Sequence, residues 1–299
     1  MDDATPPAPA EAPLLALDAA PFLVARPVAP AAATSLICAS PHSGRIYPAE
    51  MMAASQLDRR AIRRSEDAHV DQLIAAAPLC GHTVIAAQFA RAFIDVNREP
   101  WELDPAMFED ELPPFAKART ARVAAGLGSI ARIVCEGQEI YARKLVFAEA
   151  EDRVRRVHAP YHAALAALIA ETKAALGQAI LIDWHSMPAA AASGRNGEPC
   201  DFVLGDRFGA SCASAIAGFV EHELKQMGYR VARNAPYAGG FTTEHYGRPG
   251  RKAHALQIEI NRALYFDEGA LELTDGFAAL KRGLDSLFAA MAAQDWSGL

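Results

Sequence analysis

Three short apolar runs, each next to polar residues, dominate the hydrophobic pattern of the chain. They are Leu36–Ala39, Ile180–Ile182 and Leu256–Ile260. The first two lead into the polar segments PHSG (41–44) and DWHS (183–186), and the third carries Glu259 among its apolar residues. Continuous apolar runs of this length are typical of parallel strands whose two faces are both buried. Because ligands of open α/β sheets collect beyond the carboxyl ends of such strands, we expect a functional site there.

The rest of the pattern alternates between strands and helices. Further strands are predicted at Thr83–Ala87, Ala92–Val96, Ile130–Cys135, Phe202–Leu204 and Tyr229–Ala232. Helical spacing is clearest over Glu151–Leu176, where Pro160 is expected to kink or split the helix. Additional helices are predicted over 56–77, 208–227 and 274–291. This alternation predicts an α/β fold, a three-layer α/β/α sandwich around a mixed, mostly parallel sheet.

Composition is that of a folded chain preceded by a tail. Of 299 residues, 52% are hydrophobic and 22% are charged, which provides for a sizeable core. Residues 1–30 are rich in proline and alanine, so we expect an N-terminal tail there. Within it, Leu14–Leu17 and Phe22–Val24 are apolar enough to dock as short segments. Residues 31–299 are predicted to form a single domain.

Charge and cysteine content narrow the choice of partners. A net charge of −7 argues against nucleic acid, although a locally basic pocket can still bind a small anionic substrate. Residues 27–40 lack charge, but prolines and alanines make this stretch too short and too weakly apolar to span a membrane. Five scattered cysteines favour a reducing compartment, and we expect a cytoplasmic protein. The sequence leaves the oligomeric state open.

The polar strand ends contain the donor types of a metal site. A catalytic zinc ion takes three protein ligands from histidine and carboxylate side chains and leaves one position open. His42 and His185 end two predicted inner strands, and Asp67 or Glu66 could supply the carboxylate, with His69 a less favoured third ligand. A single histidine is more often a hydrogen-bonded turn residue than a ligand. Two of them at strand ends, with a carboxylate pair nearby, favour the metal interpretation.

Glu259 allows two interpretations. Isoleucines flank it on a strand, where a buried charge is costly. It either pairs with a cation such as Arg262 or serves as a general base whose pKa is raised.

Arginines at two places could bind an anionic substrate. Asn97 and Arg98 offer an amide and a planar guanidinium that fits a carboxylate, unless Arg98 is a salt-bridge partner of Asp95 or Glu99. Arg248 and Arg251 lie in a glycine-rich basic loop and could bind a second anionic group. The alternative for that loop is a basic segment exposed to solvent.

Six short motifs in a fixed order resemble the N-formylglutamate amidohydrolase family. They are PHSG (41–44), EDAHVD (66–71), DVNR (95–98), DWHS (183–186), YAGGFTTEHYG (237–247) and LQIEI (256–260). The resemblance covers roughly residues 35–265, and its strength lies in the ordered set. That family is in turn similar to the zinc carboxypeptidases and aspartoacylases. The resemblance therefore implies a zinc-carboxypeptidase-like fold, of the phosphorylase/hydrolase-like kind.

The resemblance also implies roles for individual residues. His42 and His185 would be zinc ligands, and Glu259 would be the catalytic carboxylate. Asn97 and Arg98 match the pair that binds a substrate carboxylate in the carboxypeptidase relatives. The compact His-x-x-Glu ligand pair of those relatives is absent here, because Arg45 holds the third position after His42. We expect Asp67, in preference to Glu66, to provide the carboxylate ligand.

The implied activity is zinc-dependent hydrolysis of the amide of an N-acylated acidic amino acid. N-formyl-L-glutamate, giving formate and L-glutamate, is the expected substrate, and histidine catabolism is the expected context. A deacylase of another N-acyl amino acid or of a small peptide is the alternative enzyme. A non-catalytic dicarboxylate-binding protein is the alternative from another class, but binding alone would not require Glu259.

Overall fold

The computed structural model describes residues 19–29, 32–194 and 197–299. Within these ranges one sheet contains seven strands, which we number in chain order. They are β1 (Phe22–Ala25), β2 (Leu36–Ser40), β3 (Thr83–Ala87), β4 (Ala179–Met187), β5 (Phe202–Gly205), β6 (Val231–Arg233) and β7 (Ala253–Asn261). A separate hairpin pairs β8 (Phe266–Asp267) with β9 (Glu272–Leu273).

The strand order in the sheet is β1-β3-β2-β4-β7-β5-β6. Strands β3, β2, β4 and β7 run parallel to one another at the centre. Strand β1 is antiparallel to β3, and β5 is antiparallel to β7 and parallel to β6. The predicted mixed, mostly parallel sheet of an α/β fold is therefore confirmed.

Helices cover both faces of this sheet. They are α1 (Ala49–Ala54), α2 (Arg59–Arg63), α3 (Val70–Leu73), α4 (Ala121–Ala124), α5 (Phe147–Arg153), α6 (Ala159–Leu176), α7 (Ser214–Gln226), α8 (Phe241–Tyr246) and α9 (Gly276–Ala293). One face packs against α3, α7 and α9, and the other packs against α6. The long helical pattern is divided as expected. A π-helical turn over Val154–His158 joins α5 to α6, and Pro160 is the second residue of α6. None of the described helices is both long and apolar enough to cross a membrane.

Side chains of the central strands alternate between two apolar cores, one on each face of the sheet. Toward the carboxyl ends of the strands, one of these faces becomes polar. In β4, Ile180 and Ile182 pack against one helical layer, while Leu181 packs against the other. On the Leu181 face, the next two side chains toward the carboxyl end are Asp183 and His185. In β7, Ala255 on the same face is followed by Gln257 and Glu259. This face therefore changes from apolar to polar where the parallel strands end.

Two predicted strands are wrong. Residues 92–96 form turns, because the amides of Phe93 and Ile94 donate to the carbonyl of Ala90. Residues 130–135 contain one isolated bridge residue, Ile133, and lead into a 3₁₀ turn over Cys135–Gly137. Both segments are apolar because they are buried beside the sheet, and short apolar runs do not distinguish a strand from a packed loop.

The sheet begins inside the predicted tail. Strand β1 pairs with β3 along its whole length, so Phe22 docks as expected, whereas Leu23 and Val24 are exposed at the sheet edge, at 58% and 37%. The other apolar segment of the tail, Leu14–Leu17, lies outside the described residues. The boundary at residue 30 between an N-terminal tail and a single domain of residues 31–299 stays a prediction.

Replacing leucine with alanine should destabilise the protein at a buried strand position and have little effect at an exposed one. Leu36 is fully buried in β2, whereas Leu23 is 58% exposed in β1. Leu36→Ala should lower the free energy of unfolding by about 2–5 kcal/mol, because it leaves a cavity in the core. Leu23→Ala should change it by less than about 0.5 kcal/mol. Urea unfolding of both variants measures the difference, and equal losses would contradict the described packing.

Candidate active site

Three buried side chains converge where β2, β4 and α3 meet. His42 follows β2, His185 lies near the end of β4, and Asp67 precedes α3. The amide of Asp67 donates to the carbonyl of His42 at 3.0 Å, which fixes the two loops to each other. All three side chains are at most 3% exposed. The structure thus brings together the three residues that the sequence suggests as metal ligands.

The atoms that face one another are Nδ1 of each histidine and one carboxylate oxygen of Asp67. The two Nδ1 atoms are 3.1 Å apart. Oδ2 of Asp67 lies 3.0 Å from Nδ1 of His185 and 3.3 Å from Nδ1 of His42. Two ligand atoms of a tetrahedral zinc ion are about 3.3 Å apart when each bond is about 2.0–2.1 Å long. The spacing of the three atoms is therefore close to that of one triangular face of such a site.

A second set of carboxylates orients both imidazoles. Nε2 of His42 donates to Oδ1 of Asp95 at 2.6 Å. Nε2 of His185 lies 3.0 Å from Oδ2 of Asp183, within ion-pair distance. Carboxylates of this kind fix the tautomer of ligating histidines in metal sites. With the proton on Nε2, each neutral imidazole presents the lone pair of Nδ1 to the centre.

The donor set fits a divalent cation. Three electron-pair donors face one another, and they repel unless a proton or a metal ion lies between them. Burial alone would lower the pKa of His185, but the carboxylates of Asp183, Asp67 and Glu259 together raise that pKa well above its usual value. The surroundings thus stabilise positive charge strongly. The group formed by His42, Asp67 and His185 can hold a metal ion.

Asp67 and its neighbour Glu66 have separate partners. The second oxygen of Asp67, Oδ1, accepts from Arg262 at 3.0 Å. Burial would raise the pKa of Asp67, but the adjacent imidazoles of His185 and His42 hold it well below its usual range. Glu66 turns the other way and accepts from Tyr47 and Arg63. The structure therefore brings Asp67, and not Glu66, to the histidines.

Glu259 lies beside the three converging side chains. It is paired with His185 across the parallel strands β4 and β7, so the two side chains project from the same face. Gln257 donates to Oε1 of Glu259 at 2.8 Å. Burial raises the pKa of the Glu259 carboxyl to about 7. A carboxyl with such a pKa can accept or donate a proton near neutral pH.

A cavity of about 570 Å³ opens from this centre, and arginines form much of its polar lining. The lining arginines are Arg64, Arg91, Arg98, Arg122 and Arg262. Arg91 donates to Asp95 at 2.8 Å, and Arg262 donates to Asp67. The segment between Trp101 and Phe147 supplies one wall, including Arg122 and Leu127. The cavity therefore suits a small anionic molecule.

Asn97 and Arg98 enter the cavity together. Nδ2 of Asn97 lies 3.0 Å from Nε2 of His185 and donates to Asp183 at 3.4 Å. The Arg98 guanidinium donates to the carbonyls of Leu127 and Asn97. Asp95 is 3.9 Å from Nε of Arg98, so a weak ion pair and a place in the cavity wall coexist. Both interpretations of Arg98 thus have a structural basis.

The expectation that Arg248 and Arg251 approach the site is wrong. Both lie in the loop that precedes β7, and neither lines the cavity. The site is at the carboxyl end of the same strand, where Glu259 is roughly 20 Å from Ala253 at about 3.3 Å per residue. A loop that leads into a parallel strand lies at the opposite edge of the sheet from a site at the strand ends.

Several residues that shape the site have no assigned role in the sequence motifs. Asp95 and Asp183 lie inside the motifs DVNR and DWHS, where the prediction uses only the histidine and the asparagine–arginine pair. Arg262, a possible partner of Glu259 by sequence, bonds Asp67 instead. Arg91 and Arg122 lie outside every motif. The alternation of side chains in β4 is a usable signal, because it places Asp183 on the face of His185.

The fold and the site define an α/β protein with a buried group that can hold a metal ion, a titratable carboxyl and an arginine-lined cavity. Comparison with known proteins agrees with this class. The model of the family described as N-formylglutamate amidohydrolase matches residues 34–266. The chain therefore belongs to the N-formylglutamate amidohydrolase family, which confirms the resemblance seen in the ordered motifs.

Individual relatives support the same assignment. N-formylglutamate deformylase of Pseudomonas aeruginosa is 31% identical over 79% of this chain and 83% of its own. The Pseudomonas putida protein of the same name is 28% identical over 78% of this chain and 82% of its own. The crystal structure of N-formylglutamate amidohydrolase from Ralstonia eutropha JMP134 superimposes with a TM-score of 0.87 at 39% identity. That match covers 94% of this chain and 100% of the crystallised one.

Metal binding should depend on His185. Removing one of three donors weakens binding of a divalent ion strongly, so His185→Ala should lose most of the metal that the unmodified protein binds. His222→Ala provides the control, since His222 is exposed on α7. Equilibrium dialysis against Zn²⁺ with elemental analysis measures the bound metal. Equal metal content in all three proteins would show that the centre lies elsewhere.

Proposed function

We propose that the protein is a zinc-dependent amidohydrolase that converts N-formyl-L-glutamate into formate and L-glutamate in the cytoplasm. The observation that carries the proposal is the position of Glu259, a carboxyl with a pKa near neutrality, beside the His42–Asp67–His185 group. The relatives named for this reaction support the choice of substrate.

Each residue of the site has a separate role in hydrolysis of the amide. When bound, zinc would supply a Lewis acid for the formyl carbonyl and a lowered pKa for the attacking water. Glu259 takes the proton from that water as its oxygen attacks the formyl carbon, and returns it to the nitrogen of the breaking C–N bond. Asp95 and Asp183 keep both imidazoles in the ligating orientation. Arg262 holds Asp67 so that one oxygen stays directed at the centre.

Arginines of the cavity wall recognise the two carboxylates of the substrate. Arg98 binds one of them, because its guanidinium lines the cavity next to Asn97. Arg122 binds the other carboxylate, since it lines the same cavity near Arg98. Its ion pair with Glu102 is long, at 3.5 Å, so the guanidinium can also contact a substrate. Two guanidiniums in one cavity select a dicarboxylate over a neutral N-formyl amine.

A panel of N-acyl amino acids tests the proposal. Purified, zinc-loaded protein is incubated with N-formyl, N-acetyl and N-succinyl derivatives of glutamate and of alanine, and release of free amine is measured. We expect the highest kcat/KM for N-formyl-L-glutamate. Preference for another acyl group would identify a different deacylase. Binding of glutamate without any hydrolysis would identify a dicarboxylate-binding protein.

Glu259→Gln should separate catalysis from metal binding. The amide has nearly the shape of the carboxyl but cannot accept the proton, so kcat should fall by roughly a hundredfold or more. Bound zinc should stay unchanged, because the three proposed ligands are untouched. Glu50→Gln, at an exposed position of α1, should behave as the unmodified enzyme. A Glu259→Gln enzyme with normal kcat would reduce Glu259 to a structural role.

Arg98→Lys should change substrate discrimination. Lysine cannot reproduce the two-pronged contact with a carboxylate, so kcat/KM for N-formyl-L-glutamate should fall by about one to two orders of magnitude. Hydrolysis of an N-formyl amine without carboxylates should change far less. Arg251→Lys, outside the cavity, is the matched control. Equal losses for both substrates would mean that Arg98 stabilises the fold and does not bind substrate.

A further inference from the structure

The segment Val96-Asn97-Arg98 carries two cavity residues but belongs to no helix or strand. Its backbone carbonyls therefore need partners from elsewhere, because a buried unpaired carbonyl is costly. The carbonyl of Asn97 accepts from the side chain of Arg98 at 2.9 Å. The carbonyls on either side of it are bound by two histidines of one neighbouring helix.

His158 and His162 provide those hydrogen bonds. Nε2 of His158 donates to the carbonyl of Arg98 at 2.9 Å. Nε2 of His162 donates to the carbonyl of Val96 at 2.8 Å. A carbonyl can only accept, so both imidazoles must carry a proton on Nε2.

The π-helical turn and the first turn of α6 place both histidines next to the segment 96–98. His158 ends the π-helical turn, and His162 follows one turn later in α6. Their ring centres are 4.4 Å apart, so the rings lie next to each other on one face. Short π-helical turns occur frequently at functional sites. Here the turn precedes Pro160, which has no backbone N–H to continue the regular hydrogen-bond pattern.

Helix α8 links His162 to the side chain of Asn97 through one hydrogen bond near each of its ends. The hydroxyl of Tyr246, at the end of α8, donates to Nδ1 of His162 at 2.8 Å. At the start of α8, the amide of Thr242 donates to Oδ1 of Asn97 at 2.8 Å. Packing at this point is tight, since a Cβ atom added to Gly240 would lie 2.7 Å from Nδ2 of Asn97. Helix α6 and its preceding turn thus hold the carbonyls on both sides of Asn97, and α8 holds its side chain.

Burial keeps the two histidines neutral. It lowers the pKa of His162 to about 3 and also lowers the pKa of His158. Neither side chain is among those that line the cavity. They can therefore influence a reaction only through the segment that they hold.

We propose that His158 and His162 are positioning residues that fix Asn97 and Arg98 for substrate binding by holding the two carbonyls that flank Asn97. The proposal rests on the proposed function, because Arg98 is the residue through which the effect reaches the substrate. Loss of either bond lets the segment move, so the guanidinium no longer meets the carboxylate in a fixed orientation. The defect therefore appears mainly in KM for the dicarboxylate substrate.

Paired substitutions at His158 test the proposal. His158→Leu removes the donor, and KM for N-formyl-L-glutamate should rise about tenfold, the loss expected for one hydrogen bond, with kcat changed less than about threefold. His158→Gln places an amide nitrogen near the position of Nε2 and should restore most of the affinity. Metal content should be the same in both variants, since the proposed ligands are untouched.

His82→Leu is the matched control for loss of a buried histidine. Nε2 of His82 also bonds a backbone carbonyl, that of Phe288. His82 directly precedes β3, so it lies at the amino ends of the parallel strands, whereas the site lies at their carboxyl ends. It should lower the melting temperature without raising KM. If His158→Leu and His82→Leu have the same kinetic parameters, His158 is a structural residue and the proposal is overturned.

A double-mutant cycle with Arg98→Lys tests the route of the effect. In the Arg98→Lys background, His158→Leu should raise KM less than about twofold, because the residue through which it acts is already impaired. A full tenfold increase in that background would overturn the proposal. Unmodified protein that does not hydrolyse N-formyl-L-glutamate would instead overturn the proposed function, and this inference with it.

Discussion

The arrangement of the site depends on one electrostatic constraint, the meeting of three electron-pair donors in a buried place. Nδ1 of His42, Nδ1 of His185 and Oδ2 of Asp67 lie within 3.3 Å of one another, while their other polar atoms are already bonded. Asp95, Asp183 and Arg262 hold those outer atoms and so keep the inner lone pairs directed at one point. The same constraint accounts for the high density of charged side chains in an otherwise apolar interior.

The sheet meets this constraint by changing the character of one face along its strands. The face that packs against α6 is apolar at the start of β4 and β7 and becomes polar at their ends. Because β2, β4 and β7 run parallel, their polar ends meet at one edge, where the intervening loops add Asp67 and the Asn97–Arg98 pair. A parallel sheet therefore gathers residues that are far apart in the chain, such as His42 and Glu259.

Much of this arrangement can be predicted from the sequence. The inner strands are visible because continuous apolar runs bounded by polar residues are typical of buried strands, and the histidines are visible because they end those runs. Asp67 can be favoured over Glu66 only by analogy, since the choice depends on which side chain Tyr47 and Arg63 hold away from the centre. Packed loops such as 92–96 resemble strands in the sequence, because local hydrophobicity reports burial and not hydrogen-bond pattern. The loop that contains Arg248 and Arg251 cannot be placed from its charge alone, because its position depends on the direction of the strand that follows it.

The position of the metal ion tests this account most directly. Crystals of the zinc-loaded protein, measured on both sides of the zinc absorption edge, give an anomalous difference map that locates the ion independently of the protein atoms. We expect one strong peak about 2.0–2.1 Å from Nδ1 of His42, Nδ1 of His185 and Oδ2 of Asp67. Density at any other position, or ligation through Nε2 of either histidine, would contradict it.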